Sequence, residues 1–108
     1  MRQARILFKN EPAGILTQHD DGTFSFAYTA EWISDSARPA VSLSLPKRRA
    51  PYHAPHLFPQ FYSMLPEGIN KEAICKHKRI DKDDAFGLLM ITGKHDAIGA
   101  VRVEQIDM

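Results

Sequence analysis

Apolar and polar residues alternate along the first half of this chain, whereas in the second half apolar residues recur every three to four positions. A period of two belongs to a half-buried strand and a period near 3.6 to a helix, so the fold has to combine a sheet with helices. Arg2 to Phe8 reads as a short strand that ends at Glu11-Pro12. Ala13 to Gln18 and Thr23 to Tyr28 flank His19-Asp20-Asp21-Gly22, whose Asp-Gly pair supplies the positive φ of a tight hairpin connection. Phe24, Phe26 and Tyr28 then share one face, which is expected to be buried, and Thr23, Ser25, Ala27 and Thr29 share the other. Val41, Leu43 and Leu45 alternate with Ser42 and Ser44 between Pro39 and Pro46, predicting a second half-buried strand.

Ala30 to Ser36, with Trp32 and Ile33, reads as a turn of helix or a packed loop. Pro46 to Pro59 holds four prolines, three consecutive basic residues and two histidines, the composition of an ordered but irregular surface loop. Beyond it, Phe58, Phe61, Tyr62 and Leu65 predict a short helix from Pro59 to about Met64, interrupted by Pro66-Glu67-Gly68. Ile69, Ala73 and Ile74 suggest a second helix, whose cationic end at Lys76 and Lys78 suits the macrodipole. A third has Asp81 as its expected cap, Phe86, Leu89 and Met90 as its buried stripe and Gly93 as its stop. Ile98 to Glu104 returns to strand pattern. The expectation is one α+β domain over residues 1–108, with a small antiparallel sheet formed by both chain ends and about three short helices packed on one face.

Composition narrows what such a domain can do. With 108 residues, 14 Lys plus Arg and 13 Asp plus Glu, the formal charge is +1, which argues against a polybasic nucleic-acid arm. The chain is too short for a complete kinase or (β/α)₈ enzyme of roughly 250 residues. Its one cysteine, Cys75, cannot form an internal disulfide, and no apolar run approaches the ~18 residues of a membrane span. Cytoplasmic residence without membrane attachment is expected.

Chemistry-bearing patterns are sparse. His53 and His56 form H-x-x-H and Cys75 and His77 form C-x-H, but these spacings lack the paired knuckles of structural zinc sites. Ser42 and Ser44 lack the G-x-S-x-G elbow of a serine nucleophile, and no glycine-rich phosphate loop is present. Catalytic residues, metal ligands and cofactors are therefore not expected. Lys47-Arg48-Arg49 is the one basic run, suited to the rim of a site for an acidic protein. The segment Tyr62, Ser63, Met64, Leu65, Pro66, Glu67 and Gly68 joins two helices through a stiff corner, from which an apolar side chain facing outward would make a protein-binding anchor.

The order of segments also resembles a known family, the N-terminal domain of HipA-type serine/threonine kinases, the toxins of bacterial toxin-antitoxin systems. The matching residues run from Gly14-Ile15-Leu16 through Phe24-Ser25-Phe26-Ala27-Tyr28 and Glu31-Trp32-Ile33 to the S-L-S-L-P of Ser42 to Pro46. They continue through Phe58, Phe61 and the L-P-E-G of Leu65 to Gly68 into Phe86-Gly87-Leu88-Leu89 and Gly99-Ala100-Val101. Lys71 replaces a frequent Arg, and the turn at Gly93-Lys94-His95-Asp96 is one residue longer than is usual. The catalytic core that follows this domain in such kinases has no counterpart here, so kinase activity is not implied.

What the resemblance does imply is the small HipS-like antitoxin of tripartite HipBST-type systems. Such a protein binds and restrains a separately encoded HipA-like kinase, alongside a HipB-like helix-turn-helix protein that binds operator DNA. The kinase would meet Tyr62 to Gly68, rimmed by Lys47, Arg48 and Arg49; no direct contact with nucleic acid is expected. A DNA-binding or co-repressor subunit of the same operon, and a non-catalytic subunit completing a kinase, are the alternatives.

Overall fold

The computed structural model describes residues 1–62, 65, 68–81, 83–95 and 101–106. Among the described residues, five strands form one antiparallel sheet: β1 (Arg2–Phe8), β2 (Glu11–Gln18), β3 (Phe24–Tyr28), β4 (Tyr52–Ala54) and β5 (Val101–Gln105). Their spatial order is β4-β3-β2-β1-β5, so both chain ends lie in the sheet, with β1 and β5 paired side by side. The helices are α1 (Ala30–Ser34), α2 (Pro59–Tyr62), α3 (Gly68–Lys78) and α4 (Ala85–His95). The α+β architecture is the one expected, with α1 as a fourth short helix in the segment read as a helical turn or packed loop.

Strand β1 turns into β2 through Lys9 and Asn10, both at positive φ (50° and 67°). That is the backbone of a two-residue hairpin turn, whose twist matches the flanking strands. Glu11-Pro12, expected to end the first strand, instead opens the second. Pro12 sits where the register shifts, Ile6 facing Gly14 but Leu7 facing Pro12, and an irregularity of this kind accommodates a residue with no N–H to donate.

The β2–β3 hairpin forms where Asp-Gly predicts it. Gly22 takes φ +87°, its amide donates to the His19 carbonyl at 2.9 Å, and the Asp21 carboxylate accepts from the Thr23 amide at 2.9 Å and hydroxyl at 2.6 Å. Gly14, opposite Tyr28 in the same hairpin, is held to glycine by close approach. A Cβ there would lie 2.6 Å from the Ala27 carbonyl and 2.8 Å from the Phe26 ring.

Phe24, Phe26 and Tyr28 are all buried, as their alternation requires. Phe26 packs against Tyr28 and Phe61 with ring centroids 4.9 and 5.7 Å apart, and Phe24 stacks on Phe86 of α4 at 6.4 Å. Ala4, Ile6, Leu16, Leu89 and Val103 complete this core, which lies between the sheet and the helices on one of its faces. Cys75 of α3 is a buried free thiol, as expected for a packed side chain.

Three further segments depart from expectation. Residues Val41 to Leu45 do not form a strand: Ser42 and Leu45 are joined by an isolated bridge, the Leu45 amide donates to the Ser42 carbonyl at 3.1 Å, and Leu43 points wholly into solvent. Serine hydroxyls favour this turn. Ser42 Oγ accepts from the Ser44 amide at 3.3 Å and meets Ser44 Oγ at 3.0 Å, a local alternative to a sheet ladder.

Second, the proline-rich stretch contains β4, whose Tyr52, His53 and Ala54 pair with Phe26, Ser25 and Phe24. Third, Asp84 rather than Asp81 caps α4. Its carboxylate accepts from the Gly87 amide at 3.0 Å and its carbonyl from the Leu88 amide at 3.0 Å, while the Asp81 carboxylate accepts from Asp83 one turn earlier. The helix also runs through Gly93 to His95. Of the predicted last strand, Ile98 to Ala100 lie outside the described residues and Val101–Gln105 form β5.

Candidate protein-binding surface

The loop from Asp35 to Lys47 carries no regular structure, yet its backbone is tied down by side chains from the sheet and helix beneath it. The Trp32 indole of α1 donates to the Pro39 carbonyl at 2.8 Å. The Tyr28 hydroxyl accepts from the Val41 amide at 3.0 Å and donates to the Leu45 carbonyl. Tyr52 of β4 donates to the Pro46 carbonyl at 2.5 Å. These contacts satisfy backbone groups that would otherwise need a ladder partner. Burial raises the Tyr28 hydroxyl pKa above its ordinary value, offset in part by its hydrogen bond with Val41, so the hydroxyl is neutral and free to donate and accept at once.

The basic run divides into different roles. Lys47 turns back to donate to the carbonyls of Asp35 at 2.7 Å and Arg38 at 2.8 Å, closing the loop like a strut. Arg48 donates to the carbonyls of Ala50 and Pro51, each at 3.0 Å, and its guanidinium lies 3.6 Å from the centroid of the Tyr52 ring, a cation–π arrangement. Arg49 lines a shallow cleft of about 650 Å³ together with Tyr28, Glu31, Ile33 and Ser34. Arg38, outside the run, is engaged by Glu11 and Asp35 and lies over the Trp32 ring at 4.7 Å. Its hydrogen bond holds the Glu11 carboxyl below the usual carboxylate range.

The predicted corner is described at its flanks. Tyr62 ends α2 with 58% of its surface exposed, and Leu65, whose amide donates to the Tyr62 carbonyl at 3.0 Å, is half-buried against the core. Gly68 opens α3. Ser63, Met64, Pro66 and Glu67 lie outside the described residues. Beneath Tyr62 runs a groove of about 460 Å³ bounded by His56, Leu57, Asp83 and the Gly22 turn.

Among the described residues, no three His, Cys, Asp or Glu side chains come together as a metal site. What the described surface offers is shape: a pinned loop with an aliphatic apex at Leu43 and an exposed aromatic at the entrance to the helix corner. Sequence periodicity assigned Leu43 to a buried face and missed the strut roles of Tyr28 and Lys47. The signal that was available is the pair of prolines, Pro39 and Pro46, that bracket Val41 to Leu45 and leave little room for a sheet strand.

A family model described as the HipA N-terminal domain matches residues 4–104. The chain belongs to the HipA N-terminal domain family. A protein of Haemophilus influenzae is 33% identical over 105 residues, covering 97% of this chain and 93% of its own length. Two proteins of Sinorhizobium fredii named putative kinases are 28% and 34% identical, over 95% and 86% of this chain. The chain spans only 24% of the length of each of these kinases.

A solved structure titled N-terminal domain of HipA toxin superposes with a TM-score of 0.71 at 31% identity, covering 99% of this chain and 94% of that one. The likeness is therefore to the N-terminal domain of HipA and not to a kinase catalytic domain. Within this family fold, S-L-S-L-P is the pinned turn, Gly68 of L-P-E-G opens α3, and Phe86, Leu88 and Leu89 are buried at the start of α4. Among the described residues no helix is long and apolar enough to cross a membrane.

Proposed function

We propose that this protein is an antitoxin that binds a separately encoded HipA-like serine/threonine kinase and restrains it, with no reaction of its own. The observation that carries this reading is a pair of lengths. The same domain makes up a quarter of proteins named as putative kinases and 93% of a small Haemophilus protein, so it is a unit that occurs both within a kinase chain and almost alone. A domain that packs beside a catalytic core in one chain has a surface suited to the same core when supplied in trans. In the cytoplasm, a HipB-like helix-turn-helix protein would complete the assembly and carry the operator contact.

The contact proposed on this side is the corner from Tyr62 through Ser63, Met64, Leu65, Pro66 and Glu67 to Gly68, with Lys47, Arg48 and Arg49 around it. The Pro66-Glu67-Gly68 sequence is expected to stiffen this corner, and a stiff corner loses little conformational entropy on docking, while methionine adapts to apolar pockets. Co-expression with a HipA-type kinase from the same genome tests the function. Restored growth is expected, together with loss of kinase autophosphorylation in vitro; worsened toxicity would instead make the chain an activating subunit. Met64→Ala is expected to weaken the complex without unfolding the domain.

A further inference from the structure

Leu43 is fully exposed, at 101% of its reference surface. A single surface leucine means little on an ordinary loop. Here the loop is not ordinary. The residues on either side of the leucine are clamped by one buried hydroxyl, Tyr28 taking the Val41 amide and giving to the Leu45 carbonyl. Leu45 itself is buried in the core at 2% exposure, and Tyr52 and Lys47 fasten the chain leaving the turn. A β-turn held this firmly cannot fold its apex back onto the domain, so the apolar side chain stays in water in the isolated protein. Such a knob is already organised for insertion, and little ordering entropy is lost when it docks.

Charge around the turn indicates what receives it. The chain as a whole is close to neutral, but residues 36 to 66 contain Arg38, Lys47, Arg48 and Arg49 and not one Asp or Glu. Arg38 is engaged by Glu11 and Asp35, whereas Arg49 is exposed and lines, with Tyr28 and Glu31, the cleft beside the loop. Nucleic acid would use the cations, but Arg38, Lys47 and Arg48 are already engaged within the domain, which leaves little positive charge for phosphates. A protein pocket with an apolar floor and an acidic rim uses both Arg49 and Leu43.

We infer that Leu43 inserts into an apolar, acid-rimmed pocket on the HipA-like kinase, making the Ser42–Leu45 turn a contact separate from the Tyr62–Gly68 corner. This rests on the antitoxin reading above, and it names a second point of attachment. Two separated anchors fix the orientation of one protein on another, which a single corner does not. Arg49 supplies the electrostatic part of the contact, sensitive to salt.

Titration calorimetry of the full chain against a catalytically inactivated HipA-type kinase from the same genome tests the inference, with Leu43→Ser, Arg49→Glu and the parent protein compared. Leu43→Ser is expected to weaken binding about tenfold or more, the loss of one buried leucine, with thermal unfolding unchanged because the side chain touches nothing in the free domain. Arg49→Glu is expected to weaken binding in 50 mM salt more than in 500 mM. Binding of Leu43→Ser within twofold of the parent overturns the Leu43 contact and leaves the antitoxin reading standing. Failure of the parent chain to bind the kinase overturns that reading, and this one with it. A parent dimer in sedimentation that Leu43→Ser converts to monomer assigns the leucine to a second copy and overturns the kinase assignment. An Arg49→Glu affinity that tracks the parent at both salt concentrations overturns the acidic rim.

Discussion

Arg2, the first residue of the sheet, forks onto Asp84, the cap of the last helix. The guanidinium meets the two carboxylate oxygens at 2.6 and 3.2 Å across 82 positions of sequence, and it also lies 4.9 Å from the centroid of the Phe86 ring. Asp84 thereby does two things at once: it satisfies the Gly87 amide and it ties α4 to the N-terminal end of β1. Its carboxyl is held below its ordinary value, chiefly by Arg2 and further by the Gly87 amide, against the opposing effect of partial burial.

Replacing Asp84 with Ala removes the cap and the ion pair together. A lost cap costs about 1 kcal/mol and a partly exposed ion pair adds up to about 1 kcal/mol, so a loss of about 1–2 kcal/mol is expected in urea titration at pH 7. Because the folded pKa is depressed, this stabilisation is present above the unfolded carboxylate value near 4 and disappears as pH falls through the folded value. The difference between parent and Asp84→Ala should therefore narrow below pH 4. A gap of constant size from pH 7 to pH 2.5 would show that the carboxylate charge contributes nothing.

Tyr28→Phe keeps the ring in the core and deletes one oxygen. The Val41 amide and the Leu45 carbonyl then lose their partner, and an unsatisfied buried polar group costs about 1–3 kcal/mol. Loss of stability in that range is expected, with faster amide exchange at Val41. Exchange unchanged at Val41 would mean that the turn holds its shape without the hydroxyl.

At Gly14 the added methyl of an alanine meets the Ala27 backbone carbonyl at 2.6 Å, and neither strand of the hairpin can yield without breaking its pairing. Gly14→Ala is expected to destabilise by about 2 kcal/mol or more, read as a lower urea midpoint with unchanged slope. A midpoint equal to that of the parent would show that the β2–β3 pair has room to separate.

Arg79 closes α3 in the left-handed region, at φ 56°, and the following Ile80 amide donates back to the Cys75 carbonyl at 2.9 Å. This is the Schellman geometry, which glycine adopts without steric cost. The side chain costs about 1 kcal/mol or more there, and glycine returns part of that as greater freedom in the unfolded chain. Arg79→Gly is expected to raise stability by roughly 0.5 kcal/mol. A decrease would show that the arginine side chain makes a compensating contact.

Sequence by itself determined the elements whose causes are local. Phe24, Phe26 and Tyr28 alternate because a pleated strand turns successive side chains to opposite faces, and Asp21-Gly22 turns the chain because glycine alone accepts that φ freely. The apolar stripe of Phe86 and Leu89 needed only helical spacing, and the family resemblance rested on S-L-S-L-P, L-P-E-G and their order. Tertiary structure decided the rest. Val41 to Leu45 has the period of a strand, but among the described residues no neighbouring strand offers it a ladder, and the Tyr28 hydroxyl satisfies its backbone instead, with Leu43 turned outward. Tyr52 to Ala54 has the composition of a loop, yet the open edge of β3 pairs with it, because an unpaired row of amides and carbonyls captures whichever backbone lies alongside. Asp84 rather than Asp81 caps α4, and in the fold it also meets Arg2, a partner distant in sequence. Local periodicity reports which faces a segment can bury; only the partners brought together by the fold decide whether it does.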